Sequence, residues 1–423
     1  MVNLWLKKKF DLWIGGTGIT LVYLPVRALG LLLKRNHSLL APEHLAVVKI
    51  LGGGSLLMIY PFLATFRKQN PQTKITLICG RSIKNFAEIY QIFDHIQIID
   101  DRSPWTFLRS GLAAFAYLFR NVDVTLDLEI HSRITTLLTT LAMVKNRVGL
   151  IDNSSLWRKR IYTHSIFVAS AGTLSAAYDT TIPLFGLKGL NLIEVRNKFC
   201  EQISREIVPV KLQATPKKYI SVGMGCSDLA FERQLQISAW AELLQMVHKK
   251  YPDLHFCFLG GPGDKHLAMK ALEMAPELAA NSVILCGDIS LGASLRAVQM
   301  SSTFIGIDSA LIHLARTLGT PSISFWGPTS PDALLRDWPQ QELKIFSRMH
   351  CSPCVHQTEA PPCGGKNVCM RHQDKFDQVL DFVEQIIHLE SINSVGTRTS
   401  LRTTWAYIPK QEPLQLYSYE VTQ

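Results

Sequence analysis

From Leu45 onward, apolar runs of strand length alternate with stretches whose apolar residues recur at helical spacing. The runs at 45–51, 74–79, 96–100 and 122–128 predict strands, and Phe62–Asn70, Ile83–Phe93, Trp105–Phe119 and Ser132–Val144 predict helices. The alternation restarts with a strand over Lys217–Val222, a helix over 237–250, and strands at 254–259, 282–285, 303–307 and 321–325. Strands separated by helices pair in parallel. The expectation is an α/β protein of two doubly wound, Rossmann-like halves facing a cleft, with ligands beyond the carboxyl ends of the strands. Between the halves, Val208–Lys218 holds two prolines and three lysines, which places a linker at 209–218 and domains at 45–208 and 219–390. Residues 391–423 lose the periodicity and are rich in Ser and Thr, as expected of a tail. No fixed-period repeat is present.

The first 40 residues follow a different pattern. Leu12–Leu33 is a 22-residue apolar stretch, long enough to span a bilayer. It lies among Lys7, Lys8, Lys9, Arg27, Lys34 and Arg35, opposed only by Asp11, so residues 1–35 carry +5 of a total +10. Charge concentrated beside an apolar run points to an anionic membrane surface and away from a nucleic-acid partner. Trp5, Trp13 and Tyr23 suit the bilayer interface. A single span and a monotopic or re-entrant anchor both fit. A cleaved signal peptide lacks its small-residue cleavage site, and a buried core helix would not carry these flanking charges.

Hydrophobic residues make up 47% of the 423 and charged residues 18%, which is enough apolar material for two cores. Of nine cysteines, Cys351, Cys354, Cys363 and Cys369 cluster as C-x2-C-x8-C-x5-C. This spacing permits a structural zinc, two disulfides or reduced thiols under a loop.

Candidate chemistry concentrates where Phe304–Ile307 ends at Asp308-Ser309 and a helical pattern begins, running to Gly319. A strand feeding directly into a helix leaves backbone N–H groups and the positive end of the helix dipole at the top of a sheet, a phosphate site. Asp308 can reach sugar hydroxyls, Ser309 can cap the helix or touch phosphate, and Ala310 and His313 lie on the first turns. An ordinary capped helix with a core histidine is the plain alternative. Gly52-Gly53-Gly54 after the first strand allow a sugar or phosphate close to the backbone, or simply a tight turn. They form neither a G-x-G-x-x-G pattern nor a P-loop.

These motifs resemble glycosyltransferase family 9, which contains the lipopolysaccharide heptosyltransferases. The likeness rests on Asp308-Ser309-Ala-Leu-Ile-His313 with Gly319-Thr-Pro and Gly327-Pro-Thr, on Val47–Ser55 with Pro61, on Leu259-Gly260-Gly261-Pro-Gly-Asp264, and on Cys351–Cys354 with Cys369. It runs over roughly residues 45 to 390. The resemblance implies the GT-B fold, a nucleotide-sugar donor (heptose suggested), an envelope glycolipid acceptor, inverting transfer and no catalytic cofactor. It also implies placement at the bacterial inner membrane, with the catalytic domains on the cytoplasmic face. Asp308, Ser309, Ala310, His313, Gly260 and Gly261 would then hold the donor. Arg233 takes the place of the basic residue that approaches the diphosphate; unaided, it reads as a solvated loop arginine.

The family pattern breaks where heptosyltransferases carry Leu-Gly-Asp, the Asp being the proposed catalytic base. Here Gly53-Gly54-Ser55 stands, and a serine at its ordinary pKa cannot accept that proton usefully. Glu129 and His131, after the strand at 122–128, are the expected substitutes, facing one way; solvated or capping groups are the alternative. The expected function is a membrane-associated glycosyltransferase. Its alternatives are a transferase or epimerase using another nucleotide sugar, or a degenerate transferase retained as a binding or scaffold subunit.

Overall fold

The computed structural model describes residues 9–33, 35–169, 172–209, 212, 218–226, 231–355 and 361–394. The chain forms two compact units, Met1–Asn191 and Leu192–Gln423. Each holds one six-stranded, wholly parallel sheet.

In the first unit β1 (His44–Lys49), β2 (Lys74–Gly80), β3 (His95–Ile99), β4 (Val124–Asp127), β5 (Asn146–Ile151) and β6 (His164–Phe167) lie in the order β3-β2-β1-β4-β5-β6. The second repeats that order with β7 (Tyr219–Gly223), β8 (His255–Phe258), β9 (Ser282–Ile284), β10 (Thr303–Ile307), β11 (Ser322–Trp326) and β12 (Glu342–Phe346), arranged β12-β11-β10-β7-β8-β9. The central strands are buried throughout, which is why they read as near-continuous apolar runs. In each sheet the strand order reverses between the first and fourth strands of the unit, where β1 neighbours β4 and β7 neighbours β10. Ligands of such sheets bind beyond the carboxyl ends at that switch point.

Several elements differ from the sequence expectation. The helix after β1 (α1, Gly54–Gln69) begins eight residues before Phe62 and carries Pro61 inside it. Pro61 cannot donate to the preceding turn, but Thr65 Oγ1 bonds back to its carbonyl at 2.8 Å and the apolar face is deeply buried. Helix α2 (Lys84–Tyr90) stops short because Gln91 turns left-handed, with φ 49°. Strands β5, β6 and β12 were not anticipated, and β6 shows the half-exposed pattern of an edge. The unit boundary falls before the expected linker at 209–218. The helix at Leu192–Ser204 packs with the second unit: Arg196 Nη1 donates to the Pro339 carbonyl at 2.9 Å, and Gln299 Nε2 to that of Cys200 at 3.0 Å. The expected tail also starts later, since the helix from Phe376 runs to Ser394; residues 395–423 lie outside the described residues.

The amino-terminal stretch is one helical segment, Asp11–Gly15 continuing as Gly16–Leu33, long and apolar enough to cross a membrane. Its start packs on α4 (Arg133–Leu141), the helix that follows α3 (Pro104–Asn121) in the first unit. The Asp11 carboxylate accepts from Ser132 Oγ and from the backbone N–H of Arg133 and Ile134, at 2.8 to 3.0 Å. It thus supplies the negative charge that a helix amino terminus favours. A Cβ at Gly15 would sit 2.5 Å from that of Arg133, so only glycine permits this approach.

Candidate active site

The second unit builds its site around the end of β10. Ser309 has extended backbone (φ −151°, ψ 175°) and the helix starts at Ala310, as the sequence pattern predicts. Asp308 is 3% exposed and tied on both sides. Arg233 Nη1 donates to its carbonyl at 2.9 Å and reaches Oδ2 at 3.5 Å, while His313 Nε2 lies 3.5 Å from Oδ1. Burial alone would raise the Asp308 carboxyl, but the His313 hydrogen bond and the Arg233 charge prevail and hold it down at about 2, with Thr329 assisting. Asp308 is therefore a fixed anion that orients a guanidinium and an imidazole.

Ser309 does not cap the helix. Its Oγ is buried without a hydrogen-bond partner among the described residues, so the hydroxyl is free to meet a water or a ligand. After β8, Asp264 Oδ2 accepts from the Gly261 N–H at 2.8 Å. The same carboxylate fills the space over Gly225, where a Cβ would approach Oδ1 to 1.8 Å. Gly260 and Gly261 thus belong to a turn braced by Asp264, beside the loop after β7. Charge from Arg233, Asp264 and Asp308 all reaches Cys226 on that loop, whose thiol burial pushes up to about 11. The carboxyl end of the sheet therefore gathers Arg233, Asp308, Ser309, His313 and the Gly260–Asp264 turn. Residues 227–230, between Cys226 and Arg233, lie outside the described residues.

In the first unit the loop after β1 lies against Glu129. Ser55 sits in the first turn of α1, next to the Gly52–Gly54 loop; Gly52 takes φ 71°. Glu129 folds beneath this loop. Its Oε1 accepts from the N–H groups of Ile50 and Leu51, both at 2.7 Å, and its Oε2 lies 3.2 Å from Lys49 Nζ. The two side chains are 13% and 8% exposed. The phenol of fully buried Tyr178 lies beside Ser55 and in the field of Glu129, and burial pushes it well above its ordinary value.

Behind Glu129 stands a buried network that sequence reading missed. Asp127 Oδ2 accepts from Arg158 Nη2 and from Thr135 Oγ1, each at 2.8 Å, and from the Tyr162 hydroxyl. Asp127 Oδ1 takes the Glu129 N–H at 2.9 Å, and Arg158 Nη1 donates to the Glu129 carbonyl. Arg158 and Asp127 are both fully buried, so this network fixes the loop that carries Glu129. His131 does not face the same way as Glu129. It is half exposed and turns toward Asp152 (3.8 Å) and Ser154 (3.3 Å) in the loop after β5. The sequence signals for Lys49, Tyr178 and Arg158 were weak, because each sits in an unremarkable local pattern.

Cys354 and Cys369 are buried, Cys351 and Cys363 partly exposed, and none forms a disulfide. Backbone N–H groups of residues 365–367 surround the Cys363 thiol and lower it. Among the described residues, no group of three or more His, Cys, Asp or Glu is placed to hold a metal ion.

Two parallel sheets of this order, with a strand-to-helix junction at the switch point of the second, are the GT-B architecture of the glycosyltransferases. Residues 187–363 match the model of glycosyltransferase family 9 (heptosyltransferase), the family the motifs resemble. It is similar in fold to Escherichia coli heptosyltransferase WaaC with ADP (16% identity, 81% of this chain and 99% of that one, TM-score 0.60). It is also similar to the glycosyltransferase family 9 protein of Veillonella parvula (15%, 83% and 99%, TM-score 0.59). E. coli ADP-heptose lipopolysaccharide heptosyltransferase II gives 15% identity, 82% and 99% coverage, and a TM-score of 0.57. A sequence comparison with curated proteins found no match.

Proposed function

We propose that this chain transfers a sugar, heptose being the first candidate, from a nucleotide donor to a cell-envelope glycolipid at a membrane. The observation that carries the donor side is the Arg233–Asp308–His313 cluster at a helix start, with the unpartnered Ser309 hydroxyl beside it. The leaving diphosphate would meet Arg233 and the backbone N–H groups of the first helical turn, which supply fixed positive potential where negative charge develops. Asp308, ionised over the working pH range, keeps Arg233 in place and can accept from sugar hydroxyls. The relatives crystallised with ADP and with ADP-2-deoxy-2-fluoro heptose support an adenine nucleotide as the first donor to try. The apolar Asp11–Gly30 helix supports membrane attachment; the proposed site of action is the cytoplasmic face of a bacterial inner membrane.

On the acceptor side, Glu129 is the carboxylate that would take over from the aspartate replaced by Ser55, since both surround the Tyr178 phenol. To act as base it must release one amide hydrogen bond or the Lys49 contact when the acceptor enters. That requirement favours one second reading, a chain that binds nucleotide sugar without transferring it. Incubation with a panel of nucleotide sugars and a glycolipid extract, followed by mass spectrometry of both, separates the two. Transfer gives a glycolipid heavier by one sugar and free nucleoside diphosphate; binding alone gives a thermal shift with the donor and no product.

A further inference from the structure

Helix α3 (Pro104–Asn121) is an ordinary crossover element on its inner side. Ala114 and Leu118 are buried against Ala46, Val48, Ile78 and Ile99 of the sheet, with Phe107 and Phe115 packed alongside. Its start is fixed by a capping box between Ser103 and Thr106. Its outer side departs from the rule that a surface helix turns polar residues to water. Trp105, Leu108, Leu112 and Phe119 are 72%, 52%, 59% and 60% exposed. At 100° per residue these four fall within an arc of about 60°, along roughly 21 Å of helix. The helix contains no Asp or Glu, and exposed Arg109 and Arg120 line one edge of the stripe.

On its inner side the same helix meets the amino-terminal segment. Phe10 meets Phe107 of the same helix edge-on, ring centroids 6.1 Å apart, and Asp11 is bonded to the start of α4, which packs on α3. Beyond that contact, Trp13, Ile14, Leu21 and Leu24 are 68%, 54%, 71% and 71% exposed.

We infer that α3 lies in the plane of an anionic bilayer, its Trp105–Phe119 stripe among the acyl chains and Arg109 and Arg120 at the phosphates, as a second membrane contact beside the amino-terminal helix. Three features select a bilayer as the occupant. Helix α3 itself packs against a segment long enough to cross a membrane, its only charges are positive, and Trp105 stands at one end as interfacial tryptophans do. The consequence is orientation. A single flexible anchor leaves the first unit free to tumble, whereas two contacts hold one face of its sheet layer toward the lipid. The inference rests on the proposed membrane attachment.

The test uses the full chain with vesicles of phosphatidylethanolamine and phosphatidylglycerol, with and without brominated acyl chains, comparing wild type, Trp105→Phe and Leu108→Glu/Leu112→Glu. All three should co-float with vesicles through the amino-terminal helix. Brominated lipid should quench wild type more than Trp105→Phe, and the double glutamate variant should show the smaller quenching at unchanged Tm. Co-flotation with equal quenching in wild type and Trp105→Phe overturns the contact by α3 and leaves the anchor standing. Failure of wild type to float overturns both. Trp105 shielded from acrylamide in lipid-free solution, together with a dimeric mass in sedimentation, would assign the stripe to a second copy instead.

Discussion

Replacing Glu129 by Gln removes one charge from a site where the structure gives that charge three partners. Both amide bonds, from Ile50 and Leu51, end on one oxygen, which a glutamine carbonyl can still provide. What is lost there is the charge assistance, roughly half of about 1.5–3 kcal/mol per bond, or about 1.5–3 kcal/mol for the two together. Lys49 fares worse. It is 8% exposed and would face an amide instead of a carboxylate at 3.2 Å. Leaving a buried cation unpaired costs up to about 3–5 kcal/mol; some access to water at both side chains brings this to roughly 2–3 kcal/mol. The sum, about 3.5–6 kcal/mol, is a large part of the stability of one domain and corresponds to a fall in Tm of roughly 7–24 °C. Lys49→Met should reduce the cost of Glu129→Gln to the amide contribution alone, so a double-mutant cycle followed by urea unfolding should show a coupling of about 2–3 kcal/mol. A Gln variant as stable as wild type, or additive single effects, would refute the clasp. The cycle also separates clasp from base, because Lys49→Met/Glu129→Gln regains stability but should remain inactive if Glu129 takes the acceptor proton.

The donor cluster yields further expectations. Asp308→Asn should weaken nucleotide-sugar binding by at least tenfold in calorimetry, because Arg233 and His313 lose their fixed partner; unchanged affinity would move the donor elsewhere. Arg233→Ala should weaken binding of a nucleoside diphosphate far more than that of the nucleoside, and equal losses would remove its diphosphate role. The carboxyl of Glu342, otherwise raised by burial, is held at about 2 by Arg316 and Lys344. A folded value below the unfolded one means stability that is complete above about pH 4.5 and lost as pH falls toward 2, amounting to roughly 3 kcal/mol; Glu342→Gln should flatten acid unfolding over that window. The cysteine cluster is proposed as structural. Chelation should leave turnover unchanged, and chelation that stops turnover without disturbing the fold would contradict the assignment.

Much of this was legible in the sequence where burial imposes a period. The strands at the centre of each sheet read as apolar runs, and the Asp308–Gly319 junction could be placed because a buried strand there meets a helical pattern at two polar residues. The edge strands β3 and β9 were read, but β6 at His164–Phe167 is half solvated, so little marks it as a strand, and Pro61 concealed the first two turns of α1. On the acceptor side the sequence pattern located Glu129 but not its orientation. Its partners are backbone N–H groups of Ile50 and Leu51, nearly eighty residues earlier, which no side-chain pattern records. His131 was grouped with it by spacing after the strand at 122–128. The segment 128–132 is instead a loop, in which residues two apart need not share a face.

The central claim is that the Asp308 junction holds a nucleotide sugar for transfer. Its most direct test is mass spectrometry of a glycolipid extract incubated with purified protein and ADP-heptose, beside UDP- and GDP-sugars, with Asp308→Asn as control. The account predicts an acceptor heavier by one sugar and stoichiometric release of the nucleoside diphosphate, both lost in the variant. If no donor in the panel binds, or if Asp308→Asn transfers sugar as fast as wild type, the assignment of this site is wrong.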